Sequence, residues 1–238
     1  MSSSRGANAL ASTLLAAWLT ACSARAASPA ASAAPAPSPE PPAAGQTCRI
    51  PEGAQLTNVQ AADPTIRTDV RYATANNFTG ERLPGYDRPL ALLRPEAARA
   101  LARVQARLRA DGLGLKVFDG YRPVRATLAM VDWAERTNRR WVLDQGYVAR
   151  SSGHNRGHTV DLTLVRLDSG DELDMGTAYD TFSEAAHTAN ATGAVRTNRG
   201  KLVGAMGAEG FVNYSKEWWH FSLPGQYPPL DVPLGCFR

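Results

Sequence analysis

The sequence predicts an α+β fold, in which a single domain holds a small, mostly antiparallel sheet flanked by helices. Segments with alternating apolar and polar residues, typical of strands, are mixed with segments whose apolar residues recur at helical spacing. The two kinds of segment do not follow the regular strand–helix–strand order of a parallel sheet. The 238 residues show no internal repeat, which argues against a solenoid or a propeller.

The N-terminal residues predict export from the cell. Residues 9–19 form a short apolar run after one basic residue, Arg5, as in a secretory signal peptide, and the run is too short to span a bilayer as a stable helix. It ends in Leu19-Thr20-Ala21-Cys22, which resembles the bacterial lipobox, whose cysteine carries the lipid of the mature protein. The alternative is an ordinary signal peptide cleaved near residues 24–26, which would leave a soluble exported protein.

One folded domain is expected after this leader. Alanine, proline and serine dominate residues 22–47, a composition that cannot bury enough apolar surface to fold. We therefore expect a lipoprotein-type signal peptide at 1–21, a disordered tether at 22–47 and the domain at 48–238. Cys48 and Cys236 lie near the two ends of this domain, so in an exported protein we predict that they form a disulfide.

Charge excludes one class of partner. The formal net charge is +4, and the chain has no stripe of lysine and arginine interleaved with aromatic residues, so nucleic-acid binding is not expected. Contact with a membrane is expected only through the N-terminal lipid. The oligomeric state stays open.

The predicted elements follow an irregular order along the domain. Alternating side chains predict strands at 66–72 and 115–118, a strand beginning at Asp161, and a strand at 217–223. Helical spacing, a proline at the first turn and terminal glycines predict helices at 94–111, 124–138, 183–192 and 197–207. The second helix is expected to bury Leu128, Met130, Val131 and Trp133. Polar stretches predict loops at 139–152 and at 173–180, the latter over a cleft.

Two of the strands each carry a candidate metal ligand. A catalytic zinc site needs three nitrogen or carboxylate ligands and an open position for water, and His154, Asp161 and His220 supply such a set. The alternation predicts that Asp161 and His220 face the same cleft while their apolar neighbours face the core. Taken singly, a histidine here would be a core residue and the aspartate a capping or turn residue.

Candidate catalytic groups lie next to these ligands. Glu217, otherwise a surface carboxylate, could take a proton from water activated by the metal. Arg122 follows a strand, where it could cap a turn or stabilise an oxyanion. His158 competes as a ligand, but the helical zinc-protease motif requires glutamate at position 155, where this chain has asparagine. We therefore expect His158 to lie behind the ligands or to be exposed.

These motifs resemble those of a known family. Ser152-Gly153-His154 through Asp161, with Glu217-Trp218-Trp219-His220, resembles the signature of the zinc D-alanyl-D-alanine peptidases, which are relatives of the D,D-carboxypeptidases and of the hedgehog amino-terminal domain. Within this group the chain is most similar to the D-alanyl-D-alanine dipeptidases of the vancomycin-resistance type. Matches at 71–80, 119–123 and 174–180 extend the resemblance over nearly all of residues 60–223.

The resemblance implies a function and a set of site residues. It implies zinc-dependent hydrolysis of D-alanyl-D-alanine to two D-alanines, in cell-wall peptide metabolism or glycopeptide resistance. One Zn²⁺ per chain would be bound by His154, Asp161 and His220, with Glu217 as the acid/base and Arg122 stabilising the transition state. The substrate would contact Asp180, Ser152, Tyr147 and Tyr72.

Two other functions stay open at this point. One is a zinc D,D-carboxypeptidase that acts on peptidoglycan stem peptides, and the other is a non-catalytic lipoprotein that binds the cell wall. Asp180 separates the first of these from a dipeptidase, because a carboxylate there would bind the free ammonium of a dipeptide. The alternative role for Asp180 is the N-cap of the helix predicted near Ser183.

Overall fold

The computed structural model of this chain describes residues 48–237. The predicted signal peptide, the lipid site at Cys22 and the tether lie outside the described residues. None of the helices in the described part has the length and apolar character that crossing a bilayer requires.

The centre of the domain is a five-stranded sheet. Its spatial order is β2-β4-β5-β7-β6, and only the β2–β4 pair is parallel, whereas every other neighbouring pair is antiparallel. A separate ribbon pairs β1 with β3. The strands are β1 (Thr57–Asn58), β2 (Arg67–Thr68), β3 (Leu92–Leu93), β4 (Leu113–Asp119), β5 (Thr159–Arg166), β6 (Val212–Asn213) and β7 (His220–Ser222). The predicted α+β fold with a mostly antiparallel sheet is confirmed.

Within residues 48–237, five α-helices accompany the sheet: α1 (Val59–Ala62), α2 (Pro95–Leu108), α3 (Val124–Arg136), α4 (Trp141–Asp144) and α5 (Gly193–Gly207). Helix α2 begins with Pro95 in its first turn and buries Leu101, Val104 and Leu108 along one face. A 3₁₀ turn follows, and Gly112 ends it with a φ of +68°, a conformation that glycine adopts without steric cost.

Three of the predictions are wrong, two on secondary structure and one on burial. Residues 66–72 form only the short β2 and a 3₁₀ turn, Arg71–Ala73. The helix predicted at 183–192 is reduced to a single 3₁₀ turn, Glu184–Ala186. Leu128 is 56% exposed, because it lies on the outer side of α3 while Met130 and Trp133 face the core.

A disulfide closes the domain. Cys48 and Cys236 are joined, with their Cα atoms 5.3 Å apart and a sequence separation of 188 residues. A crosslink that closes so long a loop restricts the unfolded chain and typically stabilises a domain by about 2–4 kcal/mol. It ties both ends of the described chain to the same side of the fold.

Candidate metal centre and active site

Three short elements bring the candidate ligands together. His154 lies in a 3₁₀ helix, Gly153–Arg156, that leads into β5, and Asp161 is the third residue of β5. His220 is the first residue of β7 and is paired directly with Asp161 in the antiparallel register. Directly paired residues project to the same face of a sheet with their Cβ atoms close together, so the strand pairing itself brings these two side chains into contact.

The three side chains form a compact group of donor atoms. Their ligand atoms all lie within 4.8 Å of one another. Asp161 Oδ1 is 3.2 Å from His154 Nε2 and 3.0 Å from His220 Nδ1, and the two imidazole nitrogens are 3.4 Å apart. Asp161 Oδ1 is buried and accepts no hydrogen bond within residues 48–237. A buried carboxylate oxygen without a hydrogen bond, facing two imidazole nitrogens, fits a tetrahedral zinc site with an open fourth position.

Hydrogen bonds orient His154 for this purpose. Its Nδ1 lies 2.7 Å from the carbonyl oxygen of Gly120, and since a carbonyl can only accept, Nδ1 carries the proton and Nε2 keeps its lone pair. The Ser152 hydroxyl oxygen accepts from the backbone N–H of His154 and so caps the short helix. A Cβ at position 120 would meet the Leu92 carbonyl oxygen at 2.6 Å, so only glycine fits there.

The neutral state of His220 is also favoured. Burial lowers the pKa of His220, although the neighbouring Asp161 opposes this effect. A metal ligand must be the neutral imidazole, so a lowered pKa keeps the nitrogen available at neutral pH.

Glu217 lies beside the ligands but is not one of the compact three. Its side chain is almost completely buried, and its Oε2 is 3.5 Å from His220 Nδ1. Burial raises the pKa of Glu217 well above its usual range, and the negative charges of Asp161 and Asp180 raise it further, while Arg122 opposes them. A carboxyl group whose pKa is raised in this way holds a proton more readily than a solvated one, which suits an acid/base.

Arg122 is fixed by a buried aspartate. Its Nε and one terminal nitrogen donate to Asp119 Oδ2 at 2.9 and 2.8 Å, and Asp119 Oδ1 accepts from the Tyr86 hydroxyl at 2.6 Å. The guanidinium lies 4.9 Å from the centre of the Tyr72 ring, and its nearest nitrogen is 3.7 Å from Asp161 Oδ2. A cation is therefore held next to the group of ligands by contacts that do not involve the ligands.

These groups line one cavity of about 350 Å³. Asp180 lies in its wall, and its carboxylate accepts from the Tyr72 hydroxyl at 3.1 Å. Asp180 has a φ of +60°, a left-handed conformation that aspartate tolerates better than most residues. The cavity brings together all the residues that the sequence predicts for the site, namely Tyr72, Arg122, Tyr147, Ser152, His154, Asp161, Asp180, Glu217 and His220.

Two histidines occupy different surroundings. His158 packs against the ring of Tyr227, with ring centres 5.6 Å apart, and does not belong to the group of ligands. The Nε2 of His187, a residue with no predicted role, lies 3.0 Å from the hydroxyl of Tyr147 in the cavity wall.

Sequence reasoning missed two further residues that contact the site. Asp119 falls within the matching segment 119–123 but is not predicted to contact the site, although a carboxylate three residues before a buried arginine is a sign of an ion pair. Tyr179 donates a hydrogen bond to Asp161 Oδ2 at 2.9 Å. Nothing in the local pattern indicates this contact, because the two residues meet only when the loop folds against β5.

Comparisons with known proteins match the chain to a family of dipeptidases. The family model of Peptidase_M15, described as D-ala-D-ala dipeptidase, matches residues 52–238. The chain is 36% identical over 187 residues to a D-alanyl-D-alanine dipeptidase of Enterococcus faecium, and 38% identical over 187 residues to one of Streptomyces coelicolor. Each alignment covers 71% of this chain and 93% of the relative. A dipeptidase of Escherichia coli is 35% identical, over 77% of this chain and 93% of the relative.

The family model spans the described domain, and these relatives are covered almost completely. The resemblance noted in the sequence is thereby confirmed, and the chain belongs to the D-alanyl-D-alanine dipeptidase family of the M15 peptidases.

Proposed function

We propose that the protein is a zinc metallopeptidase that hydrolyses D-alanyl-D-alanine to two D-alanines. One observation carries the proposal: the three candidate zinc ligands line the same cavity as Glu217, Arg122 and Asp180. Membership of a family of dipeptidases supports this substrate. The cellular context that we propose is cell-wall peptide metabolism or glycopeptide resistance.

We assign one Zn²⁺ per chain to His154, Asp161 and His220. Two neutral imidazoles and one carboxylate are a common ligand set for catalytic zinc. When bound, the zinc ion would polarise the scissile carbonyl and make the attacking water more acidic.

The protein's own side chains move the protons. Glu217 takes a proton from the water as the water oxygen bonds to the carbonyl carbon, and it gives that proton to the leaving nitrogen as the carbon–nitrogen bond breaks. Arg122 donates hydrogen bonds to the oxygen on which negative charge develops. One water is consumed, and Glu217 returns to its starting state at the end of the cycle.

The cavity wall at Asp180 suits a free ammonium group. Burial raises the pKa of Asp180 well above its usual range, and the negative charge of Asp161 adds to this, so an ionised Asp180 lacks a sufficient positive partner. The ammonium of a dipeptide would supply one through a charge-assisted hydrogen bond. The Ser152 hydroxyl oxygen accepts a hydrogen bond from the backbone, so its own proton remains available to donate to the substrate. Tyr147 also lines the cavity.

The experiment that tests this function compares D-alanyl-D-alanine with its N-acetylated form. We expect acetylation to lower kcat/KM by about 10- to 100-fold, because it removes a charged hydrogen bond to the carboxylate of Asp180 in the cavity wall. In Asp180→Asn, hydrolysis of the free dipeptide should fall toward that of the acetylated one. Asparagine keeps the tolerance for positive φ, so the substitution changes mainly the charge.

Asp174→Asn is the matched control, since Asp174 lies in the same loop but is exposed and caps only the backbone of Gly176. It should leave the ratio between the two substrates unchanged. Equal cleavage of both substrates by the unmodified protein would overturn the dipeptidase proposal and favour a D,D-carboxypeptidase. Absence of hydrolysis of either substrate by the zinc-loaded protein would favour the non-catalytic wall-binding lipoprotein.

We further propose that the protein is exported and anchored to the cell envelope by a lipid at Cys22. The lipobox-like sequence 19–22 supports the anchor, and the disulfide between Cys48 and Cys236 supports an oxidising compartment. In Cys22→Ser expressed in a bacterial host, we expect the protein to leave the membrane fraction. Retention of that variant in the membrane at the level of the unmodified protein would contradict the anchor.

A further inference from the structure

Asp161 uses its two carboxylate oxygens in different ways. Its Oδ1 faces His154 and His220 and accepts no hydrogen bond within the described part of the chain. Its Oδ2 accepts from the Tyr179 hydroxyl at 2.9 Å, while the nearest nitrogen of Arg122 is 3.7 Å away. A carboxylate held through one oxygen presents the other in a fixed direction. The hydrogen bond from Tyr179 therefore sets the orientation in which Asp161 would bind a metal.

Aromatic packing fixes the ring of Tyr179. The ring stacks on Phe118, with centres 4.7 Å apart and planes 26° apart, and it meets Trp219 edge-on at 5.4 Å. Both partners are almost completely buried in the core. The Tyr179 hydroxyl therefore has a defined position that does not depend on the hydrogen bond to Asp161.

Tyr179 also lies next to Tyr72 and Asp180. Its hydroxyl lies 3.0 Å from that of Tyr72, which donates to Asp180. In an extended segment the neighbouring residues 179 and 180 would project to opposite sides. The positive φ of Asp180 turns the chain, so that both side chains lie beside Tyr72.

We propose that Tyr179 is a positioning residue for the metal centre. Its hydroxyl donates to Asp161 Oδ2 and holds it so that Oδ1 remains free to bind the zinc ion. The proposal rests on the assignment of the metal to this group of residues, but it does not depend on which peptide is cleaved.

The contact makes a quantitative prediction for metal binding. Tyr179→Phe keeps the ring and its packing and removes only the hydroxyl, which leaves Asp161 Oδ2 without its donor. Loss of a hydrogen bond to a metal ligand typically weakens metal affinity by about 10- to 100-fold. We expect a loss of this size for zinc, measured by competition with a chelator of known affinity on the purified protein.

Tyr121→Phe is the matched control, because it removes the hydroxyl of a buried tyrosine, and that hydroxyl binds only the backbone of Val232. It should lower thermal stability without changing zinc affinity. If the two variants bind zinc as tightly as the unmodified protein, Tyr179 does not position Asp161. If both lose affinity equally, the effect is a general consequence of removing a buried hydroxyl, and the proposal is also overturned.

Cobalt substitution supplies a second readout that does not depend on activity. Visible absorption of bound Co²⁺ reports the geometry of its ligands. We expect Tyr179→Phe to change this spectrum, because the carboxylate can rotate, and we expect Tyr121→Phe to leave it unchanged. An unchanged spectrum in Tyr179→Phe would overturn the proposal, even if that variant no longer hydrolysed D-alanyl-D-alanine. Because the spectrum does not depend on the substrate, this outcome differs from one in which the protein does not cleave D-alanyl-D-alanine at all.

Discussion

Glu217→Gln should bind zinc as the unmodified protein does and lose hydrolysis of D-alanyl-D-alanine by about 10²- to 10⁴-fold in kcat, the range that a positioned acid/base contributes. The amide fills nearly the same volume as the carboxyl group, but it can neither accept the proton of the attacking water nor return it to the leaving amine. The two effects separate because the zinc ligands and the proton carrier are different residues.

The geometry supports this separation. The donor atoms of His154, Asp161 and His220 form the compact set, and Glu217 lies at its edge, with Oε2 3.5 Å from His220 Nδ1. Burial and the nearby carboxylates raise the pKa of Glu217, so this carboxyl group takes up a proton more readily than an exposed glutamate does. A second carboxylate ligand would instead have its pKa lowered by the metal.

The measurement is metal content by elemental analysis, together with kcat at saturating dipeptide. Glu184→Gln is the control, since Glu184 is exposed on the short turn near the cavity and does not line it. Loss of stoichiometric zinc in Glu217→Gln would mean that Glu217 is a ligand. Hydrolysis at an unchanged rate would remove Glu217 from the mechanism.

The ligand set can be predicted from the sequence because side chains alternate regularly along a strand. Alternation along β5 and β7 assigns Asp161 and His220 to one face, and antiparallel pairing then brings them together. The helices α2 and α3 were predicted from spacing and from the proline and glycine at their ends, which are local properties. Local signals thus define most of the scaffold.

Long-range contacts decided what the sequence missed. The guanidinium of Arg199 binds the carbonyl oxygens of Met175, Ala185 and His187, and carbonyls used in this way are withdrawn from the hydrogen bonds of the helix predicted at 183–192. Tyr179 meets Asp161 only because the loop closes over β5. A pattern confined to neighbouring residues contains neither interaction, since each depends on segments that the fold brings together.

The second large effect is expected at Arg122, and the choice of substitution decides whether it can be measured. Arg122 is the ion-pair partner of Asp119, which is fully buried. Removing the arginine altogether would leave an unpaired buried carboxylate, which typically costs about 3–5 kcal/mol of folding stability. A variant such as Arg122→Ala would therefore mix loss of folding with loss of catalysis.

Arg122→Lys keeps the positive charge beside Asp119 but loses the planar set of donors. We expect a folded, zinc-binding protein whose kcat for D-alanyl-D-alanine falls by about 10²- to 10³-fold, as for other groups that stabilise an oxyanion. Arg125→Lys, three residues along and paired with Asp231 on the surface, is the matched control and should retain activity. The effect should appear in kcat and kcat/KM together, because the interaction forms only as negative charge develops on the carbonyl oxygen. A change in KM alone would make Arg122 a ground-state binding residue, and unchanged kinetics would exclude it from catalysis.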